Sequence, residues 1–363
     1  MKLTKYSKTQ QGQAFLGLIF AFSMLINACK RDDLTVIKPN ENIRPAADFI
    51  KNNYEMTLFS QALTKAGLTT QLNGAGPFTV LVPTDAAFNE LGIYKASDLD
   101  KINADSLKKL ISYHILPRRL TTREIPTNGV DVRYATLEGS ELYTSYGALN
   151  PNGGSAEELY FSGAKVTRND VVMANGVLHV VNKLMKPQFK NNIQQWLLAR
   201  KEYSVFVEGL KKFDLWAQLA QNGPYTIFAP TNDALAKSDL TSASLASLEK
   251  SKYDGDLLFG SYIIYGRHFF ISDGQVFSII NSNGTYSYKL KNNIQLMEFS
   301  SGESYPSYIL GYSLLIRSGS GIFDPIVNSV RYEIPSKVDY LCSNGLLHNL
   351  EDGLVTPSQA LKP

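Results

Sequence analysis

One long internal duplication constrains this chain more than any other feature of its sequence. The segment 76–88 (GPFTVLVPTDAAF) is matched by 223–235 (GPYTIFAPTNDAL), and the two are separated by 147 residues. A second pair follows in the same order, because 170–179 is matched by 339–348 at a spacing of 169 residues. Two matches in the same order predict a duplicated domain, with about 20 residues inserted in the second copy.

Each copy has the sequence pattern of an α+β domain. In the first copy, the apolar run 78–82 predicts a mostly buried strand, and Thr84 is placed to cap a following helix. The apolar stripe within 103–116 predicts an amphipathic helix, and Glu138-Gly139 predicts a hairpin turn. Helices that precede a β-rich second half favour the α+β class.

Three segments of the first copy resemble the fasciclin domain. They are GPFTVLVPTDAAF at 76–88, YHILP at 113–117 and NDVVMANGVLHVVNKLMKP at 169–187. The second copy departs from the family pattern, with Ile263 where the family has histidine and Asn232 in place of the aspartate of Pro-Thr-Asp.

The resemblance covers almost the whole chain, as one domain over 44–187 and a divergent one over 191–357. It implies two tandem fasciclin-like domains, each a wedge or sandwich of β-strands with helices packed at one end. It also implies a family of adhesion and matrix-binding proteins that use no cofactor.

The first 28 residues predict a lipoprotein signal peptide. Residues 14–26 are almost wholly apolar and follow a stretch whose only charges are positive, which is typical of a secretory signal. The segment 25–29 (LINAC) resembles a bacterial lipobox, so we expect cleavage before Cys29 and acylation, including palmitate, of that residue. The alternative is an ordinary signal peptide with an incidental cysteine.

Residues 29–43 would then be a polar tether to the membrane. Lys30 and the acidic pair Asp32-Asp33 are similar to the surface-export signal of some Gram-negative lipoproteins. This pattern predicts a protein anchored in the outer membrane and exposed at the cell surface, and a solvated charge run is the alternative.

Charge and cysteine content exclude several classes of function. The chain has a net charge of +3, and the signal segment contributes Lys2, Lys5 and Lys8 without an acid, so the remainder is neutral and gives no reason to expect a nucleic-acid partner. With Cys29 acylated, Cys342 has no partner for a disulfide, and a four-cysteine zinc module is impossible. The sequence also has none of the common catalytic motifs, so we predict no enzyme activity and no metal site.

The resemblance implies four candidate partner-binding residues in the first copy. In some animal fasciclin proteins a Tyr-His pair and an Asp-Ile pair are implicated in adhesion, and these correspond here to Tyr113-His114 and Asp170-Val171. Both pairs have a structural alternative: His114 lies on the apolar helix stripe, and Asp170 is placed to accept backbone hydrogen bonds in a turn.

A second set of candidates lies in the inserted region of the second copy. Tyr305, Tyr308 and Tyr312 offer flat apolar faces with polar tips, which suit sugar rings and protein partners alike. The sequence therefore predicts a membrane-anchored, non-catalytic adhesion protein that binds a protein or matrix partner. The alternative is a glycan-binding accessory lipoprotein of an outer-membrane uptake system, which would present these tyrosines as an exposed platform.

Overall fold

A computed structural model describes residues 43–148, 157–187, 190–281, 284–304, 309–332 and 337–363. The predicted signal peptide, Cys29, the charge run that follows it, Tyr305 and Tyr308 lie outside these ranges. Residues 44–363 form one compact unit that contains both copies of the repeat.

The first copy begins with helices and continues as a sheet. Its helices are α1 (Ala46–Lys51), α2 (Thr57–Lys65), α3 (Thr69–Leu72), α4 (Asp85–Asn89) and α5 (Ala104–Tyr113), with 3-10 turns at Ala96–Lys101 and Thr122–Glu124. Its strands are β1 (Phe78–Pro83), β2 (Ile115–Leu116), β3 (Gly129–Ala135), β4 (Glu141–Gly147), β5 (Glu158–Phe161), β6 (Ala164–Met173) and β7 (Gly176–Val181).

These strands form a seven-stranded sheet in the order β2-β1-β7-β6-β5-β4-β3. Strands β1 and β7 are parallel neighbours near one edge of the sheet, and the other neighbouring pairs are antiparallel. The predicted strand at 78–82 and the predicted hairpin turn at Glu138-Gly139 are confirmed. The helices cover the end of the sheet that is formed by β1 and β7, where their apolar side chains build one core.

The second copy repeats this order and divides its strands into two sheets. Its helices are α6 (Ile193–Leu198), α7 (Ser204–Lys212), α8 (Asn232–Ala236), α9 (Ser242–Ser247), α10 (Gly255–Leu258) and α11 (Asp273–Ile280), with 3-10 turns at Lys201–Tyr203, Ala217–Ala220, Lys250–Lys252, Gly260–Tyr262 and Pro357–Ala360. Its strands are β8 (Tyr225–Pro230), β9 (Ile263–Tyr265), β10 (Tyr286–Lys289), β11 (Leu296–Ser304), β12 (Ile309–Arg317), β13 (Ile326–Tyr332), β14 (Tyr340–Cys342) and β15 (Gly345–Leu350). The sheet orders are β14-β15-β8-β9 and β10-β11-β12-β13.

An asparagine side chain fixes the start of each copy to its last hairpin. Asn175 accepts a hydrogen bond from the backbone of Ala46, at 3.0 Å, and its amide nitrogen donates to two carbonyls of the α3 region. Asn344 does the same with Ile193, at 2.9 Å, and with two carbonyls near 219–221. The following Gly176 allows the backbone of β1 to approach closely, since a Cβ there would lie 1.9 Å from a carbonyl oxygen.

Threonine caps the helix that follows β1 in the first copy, as predicted, and the helix that follows β8 in the second. The Thr84 hydroxyl accepts from the backbone of Ala87, and the Thr231 hydroxyl accepts from Ala234. The next residue differs between the copies, yet its role is retained: Asp85 accepts from the backbone of Leu58, and the Asn232 side chain does so from Val205. The replacement of aspartate by asparagine in the second copy therefore leaves the local structure intact.

The two copies pack directly against each other. Helix α11 of the second copy lies on β4 and β5 of the first. Phe270 and Leu341 belong to the same apolar cluster as Tyr143 and Leu159. Gly147 leaves room for Ile279, whose side chain would lie about 3.2 Å from a Cβ at that position. The residues of this contact are buried, so the interface is part of the core of the 44–363 unit.

Candidate functional site

Tyr113 and His114 lie in the core of the first domain. Both side chains are fully buried, and the Tyr113 hydroxyl is 2.7 Å from the Ser162 hydroxyl. The His114 ring links two elements, because Nδ1 is 2.9 Å from the carbonyl of Leu110 and Nε2 accepts from the backbone of Met185 at 3.1 Å. Neither side chain is accessible to a partner in this structure. The prediction that Tyr113 and His114 contact a partner is therefore corrected, and their burial supports the structural alternative.

Burial keeps His114 uncharged at neutral pH. Transfer of an imidazolium into an apolar core is unfavourable, and this desolvation lowers the pKa of His114 to about 4. The hydrogen-bond pattern matches a neutral ring that donates through Nδ1 and accepts through Nε2. His114 is therefore a fixed hydrogen-bonding link between α5 and the end of the domain.

Asp170 organises a turn that joins β6 to the loop before β3. Its backbone has a positive φ of 53°, and its carboxylate accepts from the backbone of Thr122 at 2.9 Å and from the Thr122 hydroxyl. The ring of His179 completes the unit: Nδ1 accepts from the Asp170 backbone, and Nε2 faces the carbonyl of Leu120 at 2.9 Å. Val171 is partly buried against the core, so a partner would meet this region mainly through the exposed Val172.

The second domain has the same turn, with one hydrogen-bond donor replaced. Asp339 again has a positive φ, its carboxylate accepts from the backbone of Ile271 at 3.0 Å, and its backbone donates to His348 at 3.1 Å. Ile271 stands where the first domain has Thr122, so the hydroxyl donor is lost. The ammonium of Lys183, from the first domain, takes its place at 2.7 Å from the Asp339 carboxylate. In the first domain the second donor to this carboxylate comes from the same domain. In the second domain it comes from the neighbouring domain, so the turn contributes an ion pair between the two domains.

The interface also buries a carboxyl group with an unusual pKa. Asp273, at the start of α11, is 1% exposed and accepts from the backbone of Phe270 at 2.9 Å. Burial raises its pKa to about 8, and the neighbouring Ser145 hydroxyl offsets only part of that rise. Nearby, burial alone would raise the pKa of Asp131, but His268 and Arg133 hold it below its usual value.

The structure does not support an exposed tyrosine platform that includes Tyr312. Its ring is 1% exposed, and its hydroxyl donates to the carbonyl of Asn349 at 2.7 Å. The prediction that Tyr312 contacts a ligand is therefore wrong, because β12 directs this ring into the core of the second domain. Cys342 is also buried, as expected for a small apolar side chain, and burial raises its pKa to about 12.

An exposed apolar tip is the surface feature that sequence patterns did not single out. The β12–β13 turn carries Ile322, Phe323 and Ile326, whose exposed fractions are 47%, 94% and 55%. We call these three residues the apolar tip. The signal in the sequence is an apolar pair between a Ser-Gly repeat and Asp-Pro, where a surface turn normally has polar residues.

Polar bonds at the base of the turn order the apolar tip. The Asp324 carboxylate accepts from the backbone of Gly321 at 2.7 Å, and the guanidinium of Arg317 donates to the Asp324 carbonyl at 2.9 Å. Arg317 also forms a two-pronged ion pair with Glu298 on β11. The turn therefore has a defined shape that presents Phe323 to solvent.

The described ranges contain neither a metal-binding cluster nor a membrane-spanning helix. Within them, no three His, Cys, Asp or Glu side chains converge as a metal site would require. In the same part of the chain, no helix combines the length and the apolar character needed to cross a bilayer.

Comparison with known proteins places these features in a family. A family model described as the fasciclin domain matches residues 54–187 and 201–295. The transforming growth factor-beta-induced protein ig-h3 of Sus scrofa is 28% identical over 213 residues, which are 57% of this chain and 29% of that protein. Periostin of Homo sapiens is 26% identical over 174 residues, which are 47% of this chain and 19% of periostin.

A bacterial relative is closer in size. Protein sll1483 of Synechocystis is 31% identical over 128 residues, which are 35% of this chain and 64% of that protein. In each of these three matches, the aligned segment spans less than two thirds of the relative. The family model covers well over half of this chain in two consecutive segments. The chain therefore belongs to the fasciclin family and carries two tandem fasciclin domains.

Proposed function

We propose that this chain is a non-catalytic adhesion protein that is tethered to a membrane through Cys29 and binds a protein partner through the apolar tip. Fasciclin domains are associated with adhesion and with binding of proteins or matrix, which supports the general class. The tether through Cys29 and the outward orientation rest on the sequence pattern of residues 1–33.

The exposure of Phe323 is the observation that carries this proposal. A phenylalanine that is 94% exposed on an ordered turn leaves most of its apolar surface in water. Burial of such a ring in a partner's pocket contributes about 1.5–3 kcal/mol, and large aromatic side chains are frequent anchors at the centre of protein interfaces. Because the turn is already ordered by Arg317 and Asp324, binding would require little further loss of conformational entropy.

The polar candidates support a role without catalysis. His114, His179 and His348 each bind backbone groups through both ring nitrogens. The carboxylates of Asp170 and Asp339 are likewise engaged by backbone amides. General acid–base catalysis needs a group that is free to exchange a proton with substrate. These imidazole and carboxylate groups are instead hydrogen-bonded to the backbone.

An attachment assay tests the proposal. Cells that lack the gene would be complemented with the wild-type chain or with Phe323→Ser, and their attachment to one another and to a protein-coated surface would be counted. We expect the wild type to restore attachment and Phe323→Ser to reduce it about tenfold or more, since loss of one anchor weakens binding by about 1.4 kcal/mol or more.

The matched control is Tyr54→Ser, which removes an aromatic ring that is 84% exposed in the first domain. This control should attach like the wild type. The proposal fails if deletion of the gene leaves attachment unchanged, or if Phe323→Ser and Tyr54→Ser behave alike. Binding of the purified wild-type chain to protein-free lipid vesicles, abolished by Phe323→Ser, would instead assign the apolar tip to a membrane.

A further inference from the structure

The second domain contains a groove of about 700 Å³. It lies between the end of α6, the start of α8 and the strands β14 and β15. We infer that this groove binds a neutral carbohydrate, at a site separate from the apolar tip, and this goes beyond the function proposed above.

The floor of the groove is a buried polar network. Asn349 is 1% exposed, and its side chain accepts from the Tyr203 hydroxyl at 2.8 Å and donates to the Tyr332 hydroxyl at 2.7 Å. The equivalent residue in the first domain is Val180, which lies in an apolar core. An asparagine at this position is costly to bury unless every polar atom is bonded, so its presence indicates that the second domain maintains polar chemistry here.

A partly exposed tyrosine forms part of one wall. The ring of Tyr340 packs on the buried ring of Trp196 at a centroid distance of 4.8 Å, and the guanidinium of Arg200 lies 3.8 Å from the Trp196 centroid. Tyr340 is only partly buried, so part of its ring faces the groove. At the equivalent positions the first domain has Phe49, Asn53 and Val171, which provide no such set of rings and charge.

An ion pair spans the equivalent region of the first domain. There, Arg168 lies 3.1 Å from Glu55. In the second domain the equivalent residues are Lys337 and Glu202, and among the described residues Lys337 pairs instead with Glu351, at 3.1 Å. The charges that bridge the first domain are thus on separate sides in the second, and the space between them is open.

The chemistry of the lining selects a polyhydroxylated ligand. Lysines at the rim are paired with carboxylates, Lys237 with Asp352 and Lys337 with Glu351, so the groove has no excess of positive charge to attract an anion. Its polar floor is unsuited to a purely apolar ligand. Sugar hydroxyls both donate and accept, which suits adjacent amide, carboxylate and ammonium groups, and the apolar face of a sugar ring packs on tyrosine. The volume lies in the usual range for ligand sites.

Titration calorimetry of the purified full-length chain tests this inference. The probes are maltohexaose, cellohexaose, xylohexaose and mannohexaose, with inorganic phosphate as an anionic competitor. We expect at least one oligosaccharide to bind with a Kd of about 1 mM or tighter, without competition by phosphate. Tyr340→Val, which introduces the first-domain residue, should weaken that binding about tenfold.

Two further variants keep the result interpretable. Arg200→Asn changes the rim while leaving the Asn349 network in place, so it should weaken binding even if Tyr340→Val alters folding. Phe323→Ser should leave sugar binding unchanged, which separates this site from the apolar tip. The inference is overturned if none of the four oligosaccharides binds, if phosphate displaces the bound sugar, or if binding is indifferent to both groove variants.

Discussion

Three buried histidines make the stability of this protein depend on pH. His114, His179 and His348 have lowered pKa values because burial disfavours their charged form. The unfolded chain takes up protons on these rings below about pH 6.5, whereas the folded chain resists protonation until a lower pH. Their contribution to stability is therefore complete above about pH 6.5 and is lost as the pH falls through the folded-state values, which for His114 is about 4.

The substitution His114→Ile isolates this effect. The second domain has isoleucine at the equivalent position, so the side chain should fit, but the backbone of Met185 and the carbonyl of Leu110 lose a partner. We expect the free energy of unfolding at neutral pH to fall by about 1–3 kcal/mol. Denaturant titrations at about pH 7 and about pH 4.5 should show a smaller pH-dependent loss in the variant than in the wild type. Equal losses would contradict the assignment of a neutral, buried His114.

At the level of elements, the same turn is completed in two ways. In the first domain, Thr122 supplies both a backbone amide and a hydroxyl to Asp170. In the second domain, Ile271 supplies only the amide, and Lys183 supplies the remaining donor from the neighbouring domain. The Asp339 side chain is 4% exposed, so this ion pair is far more buried on its acidic side than a typical surface pair.

A pair of substitutions tests this exchange. Lys183→Ala should lower the free energy of unfolding by about 1–3 kcal/mol, because the Asp339 carboxylate loses a charged donor. Adding Ile271→Thr restores the first-domain arrangement and should recover part of that loss. Lys165→Ala is the control, since Lys165 is about as exposed but pairs with the more accessible Glu158, and its loss should cost under about 1 kcal/mol. No recovery in the double variant would show that the hydroxyl and the ammonium are not equivalent.

Local patterns predicted the elements better than the sites. The strand at 78–82, the cap at Thr84 and the turn at Glu138-Gly139 depend on neighbouring residues, and the structure contains all three. The groove depends on Trp196, Tyr340 and Asn349, which are distant in sequence and meet only in the fold. The periodicity of apolar residues along the chain does not predict contacts between residues so far apart in sequence. For the same reason, the sequence did not predict that the Lys183 ammonium replaces the Thr122 hydroxyl as the second donor in this turn.

Tyr312 shows why composition misled the site prediction. A run of tyrosines is compatible with an exposed platform and with alternating strand residues, and the sequence alone does not separate them. On β12 the ring points inward and packs near Phe228 and Phe299. Among the described residues, Phe323 is a strongly exposed aromatic side chain beside this sheet, in the turn that follows β12.

On the scale of the whole molecule, the two fasciclin domains share a buried apolar interface. Phe270 packs near Tyr143 at a ring separation of 6.0 Å, and α11 covers strands of the first domain. Buried apolar surface between domains couples their unfolding, so neither domain should melt without exposing part of the other.

Calorimetry checks this coupling. We expect the wild-type chain to unfold in a single transition at neutral pH. Phe270→Ser removes an interface ring and should lower the midpoint by several degrees, as expected for a loss of about 2–4 kcal/mol, and it should broaden or split the transition. Two resolved transitions in the wild type would contradict a coupled pair of domains. The surface variant Tyr54→Ser should unfold like the wild type.

Display on the outside of the cell is the central requirement of the adhesion proposal. Protease treatment of intact cells, followed by immunodetection of the chain and of a periplasmic control protein, measures that display directly. We predict that the chain is digested while the control survives, and that Cys29→Ala abolishes its retention in the membrane fraction. Protection of the chain in intact cells would place it inside the envelope and would contradict the account of a surface adhesion protein.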